Sequence, residues 1–215
     1  MIPKKLHYIW LGCNKTDLIK KCIDSFHRFM SDYEIIEWNE SNIDLNWFDE
    51  TELLFYNTQY QRKKFAFCSD LARLHILKRF GGIYVDADVE FIKHMPNEFL
   101  DRPIIARINP NNTVCNGCMW GCEKDDELVT HMIQLFSSQL KTSARYHNKK
   151  WIFNTILKDF FDSVDDLHTN FKINELHGYR VYPSEYFCPM NSNTGQINIT
   201  DNTVSIHHFN LSWKR

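Results

Sequence analysis

The sequence predicts an α/β fold with a mostly parallel central sheet flanked by helices. Short β-prone runs alternate along the chain with segments of helical hydrophobic spacing, which is typical of strands joined by crossover helices. The 215 residues contain no internal repeat, low-complexity tract or evident linker. A single domain over residues 1–215 is therefore predicted.

The first elements already show this alternation. A strand at 5–11 precedes a helix at 15–30, and the run Tyr-Glu-Ile-Ile-Glu-Trp at 33–38 predicts a second strand. A helical region follows at 50–60. A long helix is predicted at 62–80, where apolar residues recur every three or four positions, at Phe67, Leu71, Leu74 and Leu77.

Gly81 and Gly82 end the long helix and turn the chain into a predicted strand at 81–92. This apolar run carries Asp86 and Asp88, two positions apart, and such positions share one face of a strand. Like charges held together are costly unless a cation lies between them. Carboxylates suit Mg²⁺ or Mn²⁺, and such sites leave room for substrate phosphates. The alternative is a solvated Asp-X-Asp turn.

The second half continues the alternation. Its predicted elements are strands at 103–108 and 117–121, helices at 125–140 and 151–162, and short strands near 179–182 and 203–209.

Asp70 and Arg73 lie three apart on the long helix and are therefore neighbours. They are either a surface ion pair worth a few tenths of a kcal/mol or a carboxylate–guanidinium pair that holds sugar hydroxyls beside the aspartates.

The sequence resembles the DXD-containing sugar-binding glycosyltransferases. The resemblance lies in Phe-Ala-Phe-Cys-Ser-Asp-Leu-Ala-Arg-Leu at 65–74 and Phe-Gly-Gly-Ile-Tyr-Val-Asp-Ala-Asp at 80–88. Segments 2–12 and 206–213 resemble the family's first strand and its C-terminal end. The family includes bacterial capsular and lipopolysaccharide transferases, outer-chain mannosyltransferases of the family 32 type and, more distantly, glucosylating toxins.

The resemblance implies a GT-A type nucleotide-sugar-binding fold and transfer from a nucleoside diphosphate sugar, with retention, in polysaccharide or lipopolysaccharide synthesis. The acceptor would be a hydroxyl of a glycan or lipid-linked saccharide, bound near the helical region at 123–175. Mn²⁺ or Mg²⁺ would be held by Asp88 and His208, with Asp86 contacting the ribose and the metal's waters. Asp70 and Arg73 would orient the donor sugar.

Other predicted donor contacts also follow from the resemblance. Ile9, Trp10 and Leu11 would line the nucleotide pocket, although Trp10 alone reads as a core residue. Asn39, after the second strand, is a weaker candidate for a sugar or base contact. Asn116 would lie under the donor sugar, and its alternative is a turn residue, since it forms an Asn-Gly pair.

The C-terminus carries two adjacent histidines, His207 and His208. Neighbouring strand residues face opposite sides, so only one of them can easily reach a metal. Counted back from Trp213, His208 matches the third metal ligand that the resemblance implies, so His208 is the favoured one. Ser212 and Trp213 would contact the diphosphate as part of a flap that closes over the site.

Seven cysteines without a signal peptide are read as mostly reduced thiols. Cys115, Cys118 and Cys122 have partial zinc-site spacing, which Cys188 or a histidine could complete.

A net charge of −2 gives no sign of a nucleic-acid partner. No apolar run approaches the ~20 residues of a membrane span. A cytoplasmic location is the expectation, with attachment to the inner face of the membrane open.

Two other functions stay open on the sequence. A sugar-phosphate nucleotidyltransferase would use the same metal chemistry, but residues 12–15 are a poor version of its glycine-rich loop. A non-catalytic nucleotide- or zinc-binding module would bind its ligand without turnover. Elemental analysis and a donor-hydrolysis assay separate these alternatives.

Overall fold

The computed structural model describes residues 1–12, 14–110, 113–142, 157, 161 and 172–210. Its first elements are β1 (Lys5–Ile9), α1 (Asp17–Phe29), β2 (Glu34–Trp38), α2 (Glu50–Gln61), α3 (Phe65–Phe80), β3 (Gly82–Tyr84) and β4 (Val89–Phe91). Those that follow are β5 (Ile104–Ile108), β6 (Thr113–Cys122), α4 (Glu127–Thr142), β7 (Asn174–Leu176), β8 (Tyr179–Tyr182), the one-turn helix α5 (Ser184–Phe187) and β9 (Ser205–His207).

A seven-stranded sheet in the order β2-β1-β3-β6-β5-β8-β7 forms the centre of the fold. β1 is parallel to β2 and β3, and β5 is parallel to β8, whereas β6 and β7 are antiparallel to their neighbours. Five strands, β1, β2, β3, β5 and β8, therefore run in one direction, which confirms the predicted α/β fold with a mostly parallel sheet. β4 and β9 pair separately as a two-stranded antiparallel sheet.

Both faces of the central sheet are covered. Ile9 packs in one apolar cluster with α2, α3 and α4, whereas Leu6 and Tyr8 pack in a second cluster with α1, β4 and α5. This division follows from the alternation of side chains along β1. No helix in the described part of the chain is long and apolar enough to cross a membrane.

Several element predictions need adjustment. The predicted strand at 81–92 is two short strands, β3 and β4, with a turn between them that carries both aspartates. β6 is longer than the strand predicted at 117–121, and β7 and α5 were not predicted. Apart from residues 157 and 161, the helix predicted at 151–162 lies outside the described residues.

His7 of β1 hydrogen-bonds to the last residue of β2 and to the residue that follows α3. Its Nε2 donates to the carbonyl of Gly81 (2.9 Å), and its Nδ1 accepts from the indole N–H of Trp38 (3.0 Å). The ring is fully buried. Burial lowers the pKa of His7 to about 4, because a charged ring would lose its hydration. The opposing hydrogen bond to Gly81 is weaker than this effect, and the Lys5 charge adds to the lowering.

We expect the free energy of unfolding to fall between pH 6.5 and pH 4, because the unfolded chain protonates His7 over this range and the folded chain does not. The loss reaches about 3 kcal/mol below pH 4, from a shift of about 2.5 units. Urea unfolding across this range should show that His7→Gln flattens the decline relative to wild type. The same change at exposed His27 serves as the control. Parallel pH profiles for wild type and His7→Gln would contradict this account.

Candidate active site

A bulge in β6 builds the floor of the site. Ala106 of β5 pairs with Cys115, but the preceding residue, Ile105, pairs with Trp120. Residues 116–119 therefore have no partner on β5. A bulge of this kind bends the strand and re-aims its side chains. Here it presents successive residues to α3, to the turn at 85–88 and to β9. We call this turn, which carries Asp86 and Asp88, the aspartate turn.

The aspartate turn is fixed against this bulge. The backbone N–H of Asp86 donates to the carbonyl of Gly117 (2.8 Å), and Val89 N–H donates back to the carbonyl of Asp86 (3.0 Å). A Cβ on Gly117 would lie 2.0 Å from Oδ2 of Asp86. The Asp86 carboxylate thus occupies the space that a side chain at position 117 would fill. The turn, rather than the shared strand face that was predicted, sets the direction of the two aspartates.

Asp86 and Asp88 converge on His207. The Nε2 atom of His207 lies 3.1 Å from Oδ1 of Asp88 and 3.8 Å from Oδ2 of Asp86. Asn210 N–H donates to the other Asp88 oxygen (2.7 Å). One ligand atom from each of the three side chains lies within 4.8 Å of the other two. Two carboxylates and an imidazole are a donor set that fits Mn²⁺ or Mg²⁺.

The structure brings His207, rather than the predicted His208, to the aspartates. The antiparallel pairing of β4 with β9 places Val89 opposite His207. His208 faces the other way, and its Nε2 lies 2.8 Å from Oε2 of Glu90. The sequence argument that only one histidine can face the site holds, but counting along the chain selected the other one.

We expect His207→Ala to weaken Mn²⁺ binding at least ~10-fold, because it removes a nitrogen donor beside both carboxylates. His208→Ala is the matched control and should leave the affinity within about twofold. Electron paramagnetic resonance titration of Mn²⁺ into chelator-treated protein measures both. A larger loss in His208→Ala than in His207→Ala would restore the assignment made from the sequence.

The Asp88–His207 pair is an ion pair in spite of its burial. Burial by itself raises the pKa of Asp88, but the attraction and hydrogen bond of His207 outweigh it and bring that pKa below its ordinary value. Burial lowers the pKa of His207, and the Asp88 charge outweighs this and raises the pKa well above its ordinary value. A metal ion bound at Nε2 would replace the shared proton.

Arg73 connects Asp70 on α3 with Asp86 in the aspartate turn. Its Nη2 lies 3.0 Å from Oδ1 of Asp70 and 3.2 Å from Oδ1 of Asp86. Its guanidinium carbon is 4.6 Å from the ring centroid of Tyr84, whose hydroxyl donates to Asp86 (3.1 Å). The Arg73 side chain is only 4% exposed, which excludes a surface ion pair between Asp70 and Arg73.

Asn116 completes this side of the site. It lies in the β6 bulge rather than in a turn, is buried, and donates from Nδ2 to Oδ1 of Asp70 (3.3 Å). Burial raises the pKa of Asp70 to about 6, against the opposing effect of Arg73. Nη1 of Arg73 is buried and has no hydrogen-bond acceptor among the residues that the structure describes. A buried N–H donor in this state needs an acceptor supplied by water or by a ligand.

The predicted nucleotide segment leaves the sheet beside the aspartate turn. β1 and β3 are parallel neighbours, and Val85 N–H donates to the carbonyl of His7 (3.1 Å). Residues 9–11 therefore emerge at the same carboxyl edge as residues 85–88, where α/β sheets bind ligands. Ile9 and Leu11 are buried in the core, whereas Trp10 is partly exposed.

Three further positions were predicted to contact the donor: Asn39, Ser212 and Trp213. Asn39 directs its side-chain oxygen to the backbone N–H of Ser41 (2.9 Å) and closes the turn after β2. Ser212 and Trp213 lie outside the described residues.

Sequence reasoning missed Tyr84 and Gly117. In the sequence, Tyr84 is indistinguishable from any aromatic residue of a buried strand. No neighbouring residue indicates its contact with Arg73. Gly117 carried a usable signal, because a glycine inside a strand often marks a bulge or a close approach.

We expect Gly117→Ala to weaken Mn²⁺ binding at least ~10-fold, because the new Cβ displaces the Asp86 carboxylate. Gly121→Ala, on the same strand, is the control: its Cβ would meet Ile104 at 3.0 Å, in the core. It should lower the melting temperature and leave metal binding intact. Calorimetric titration measures the Mn²⁺ affinity of both variants. Equal affinities would show that the position of the Asp86 carboxylate does not depend on the missing side chain at Gly117.

Comparison with known proteins gives this geometry a context. Residues 16–113 match the family described as the glycosyltransferase sugar-binding region containing the DXD motif. The matched region includes Asp70, Arg73, Asp86 and Asp88 and ends before the β6 bulge and β9.

One curated relative is "Subversion of eukaryotic traffic protein A" of Legionella pneumophila subsp. pneumophila (strain Philadelphia 1). It is 24% identical over 158 residues, which cover 61% of this chain and 24% of that protein. The chain thus spans about a quarter of the length of this relative.

Among solved structures, the PaToxG glycosyltransferase superposes with a TM-score of 0.58 at 20% identity, over 77% of this chain and 72% of that one. This likeness shows a shared fold. The ligand-free glycosyltransferase domain of the YGT toxin gives a TM-score of 0.44 at 11% identity, over 65% and 63% of the two chains.

Proposed function

We propose, from the match of residues 16–113 to the DXD-containing sugar-binding region of glycosyltransferases, that the chain transfers a sugar from a nucleoside diphosphate sugar to a hydroxyl acceptor in a metal-dependent reaction. The observation that carries the proposal is the position of Arg73, whose Nη2 bonds to Asp70 on one side and Asp86 on the other. A sugar site and a metal site built around one guanidinium suit a donor whose sugar and diphosphate are directly joined.

The metal side consists of Asp86, Asp88 and His207, which would hold Mn²⁺ or Mg²⁺. The ion would neutralise charge on the departing diphosphate. The protein keeps the carboxylates in place before any ligand arrives, through the Gly117 gap, the Tyr84 hydroxyl and the Asn210 N–H. Such preorganisation avoids the cost of ordering these groups during the reaction.

The sugar side consists of Asp70, Arg73 and Asn116. Arg73 offers the buried Nη1 donor to a sugar oxygen. The Asp70 side chain is 24% exposed and can accept from a sugar hydroxyl. Asn116 holds Asp70 in place from the bulge. A sugar that left these buried groups without hydrogen-bond partners would bind more weakly. This side of the site would therefore select among donor sugars.

The nucleotide would lie at the carboxyl edge of β1, with Trp10 stacked on the base and Asn39 near it. Ser212 and Trp213 would close over the diphosphate. The resemblance to the family 32 type supports these contacts. It also supports retention of anomeric configuration and a cytoplasmic role in polysaccharide or lipopolysaccharide synthesis, at the inner face of the membrane. The anomer of the product, read by nuclear magnetic resonance, tests retention.

A thermal-shift screen of nucleoside diphosphate sugars with and without Mn²⁺ tests the donor class. A ligand at 100 times its Kd stabilises the folded protein by about 2.7 kcal/mol. We expect one donor to raise the melting temperature only with Mn²⁺ present, and to be hydrolysed slowly without acceptor. Sugar-1-phosphate with a nucleoside triphosphate should give no nucleotide-sugar product. If it does, the nucleotidyltransferase alternative is correct.

The acceptor has a second candidate. The Legionella relative carries a name that ascribes to it the subversion of eukaryotic traffic, which favours a hydroxyl on a eukaryotic protein over a glycan. Radiolabelled donor offered in parallel to lipid-linked saccharides and to a eukaryotic lysate separates the two classes, with Asp88→Asn protein as the background control.

A further inference from the structure

Three thiols meet the far side of the His207 ring. The Sγ atom of Cys118 lies 3.1 Å from Nδ1 of His207. Cys115 lies beside Cys118, and Cys188 lies beside both Cys118 and His207. Sγ of Cys115, Sγ of Cys118 and a ring nitrogen of His207 all lie within 4.8 Å of one another. We call these four residues the thiol cluster.

The β6 bulge produces this cluster. Cys115 and Cys118 are three residues apart, and in a regular strand their side chains would face opposite sides. The four bulge residues that lack a partner on β5 turn the two thiols toward each other. Cys188 arrives from the chain just after α5. Cys122, which the spacing also suggested, lies elsewhere, beside Tyr179.

The donor chemistry of the cluster selects a soft ion. Zinc binds thiolate sulfur at ~2.3 Å and imidazole nitrogen at ~2.0–2.1 Å, in tetrahedral sites of four such ligands. Two donors of one ion thus lie no more than about 4.6 Å apart, so the spacing observed for Cys115, Cys118 and His207 requires only small side-chain movements. Three sulfurs and one nitrogen are a poor set for Mg²⁺ or Mn²⁺. Cys118 and Cys188 are fully buried and Cys115 is partly exposed, which leaves a path for the ion.

We propose that Cys115, Cys118, Cys188 and Nδ1 of His207 form a Zn²⁺ site next to the carboxylate site, with the His207 ring between the two. Binding releases the thiol protons and the Nδ1 proton of His207 to solvent and forms three Zn–S bonds and one Zn–N bond. The cluster resembles structural Cys₃His sites in its donor set.

The two nitrogens of His207 connect this site to the carboxylates. With Zn²⁺ on Nδ1, Nε2 keeps its hydrogen and donates to Asp88, an arrangement that orients zinc-bound imidazoles in general. In the zinc-loaded protein Nε2 is therefore closed to a second ion, and a hard metal would rely on Asp86, Asp88, water and diphosphate. In zinc-free protein Nε2 stays available to complete the carboxylate site. This consequence rests on the proposed function, whereas the thiol site itself does not.

Cobalt titration of the full chain tests the site. Chelator-stripped, reduced protein should develop a thiolate-to-cobalt charge-transfer band that saturates at one Co²⁺ per chain and is abolished by Zn²⁺. Cys115→Ser and Cys118→Ser should lose the band and weaken Zn²⁺ binding more than ~100-fold, beyond the loss typical of an outer-shell change. Cys122→Ser, a buried cysteine on the same strand, should keep it. Absence of the band in wild type, or its persistence in both cluster variants, overturns the proposal.

A measurement on wild type covers the case in which the serine variants do not fold. Zn²⁺ should protect Cys115 from alkylation, as read by mass spectrometry, and unchanged alkylation overturns the site. Asp88→Asn separates this site from the carboxylate site. It should lose Mn²⁺-dependent donor binding and keep the cobalt band, so that either proposal can fail without the other.

Discussion

Asp88→Asn should reduce sugar transfer by about a thousandfold or more while the protein stays folded. Asp88 bonds to His207 and to Asn210 N–H and lies beside Asp86. An amide in its place keeps the size but loses the charge that holds a divalent ion. Stabilisation of a leaving group by a metal is worth several kcal/mol, and each 1.36 kcal/mol is tenfold in rate.

Glu90→Gln is the matched control for this prediction. Glu90 is two residues further along and is held by Lys21 and His208, outside the aspartate group. The same loss of one carboxylate charge there should leave transfer within a few-fold of wild type. Transfer is measured with Mn²⁺ and again with chelator. Asp88→Asn at wild-type activity, or wild type indifferent to chelator, would rule out the metal mechanism.

Arg73→Ala should lower both stability and donor binding. The guanidinium is buried between Asp70 and Asp86, so its removal leaves two neighbouring carboxylates without a cation. Loss of one partner from a buried ion pair costs ~3–5 kcal/mol. Because both aspartates are partly exposed, we expect about 2–3 kcal/mol in urea unfolding at pH 7.

Arg73→Lys separates charge from geometry. A lysine restores one positive charge but cannot match the planar fork that reaches both aspartates and stacks on Tyr84. It should recover part of the stability and little of the donor affinity. Arg79→Ala, on the same helix and stacked on Trp47, controls for loss of an arginine. Calorimetric titration with donor should show normal affinity for Arg79→Ala only. Normal donor binding by Arg73→Ala would remove Arg73 from the sugar site.

Much of the fold was readable from local patterns. The strand at Tyr179–Tyr182 and the end of α3 before Gly81 were predicted at their observed bounds, because hydrophobic period and glycine chemistry are local properties. β7 was missed, since three half-exposed residues at an edge carry little hydrophobic pattern. The predicted aspartate strand broke into two because hydrogen bonds to the β6 bulge turn the chain there.

The sequence by itself determined which residue types could form the site: two close aspartates after a buried strand, an Asp–Arg pair on the preceding helix, and one of two adjacent histidines. Only the tertiary structure decided how they meet. The pairing of Val89 with His207 chose the histidine across more than 100 residues, and a one-residue change of register would have reversed that choice. The β6 bulge placed Gly117 under Asp86 and turned Cys118 toward His207. Register and bulges depend on pairing between distant strands, and the free energy that fixes them comes from packing the whole sheet.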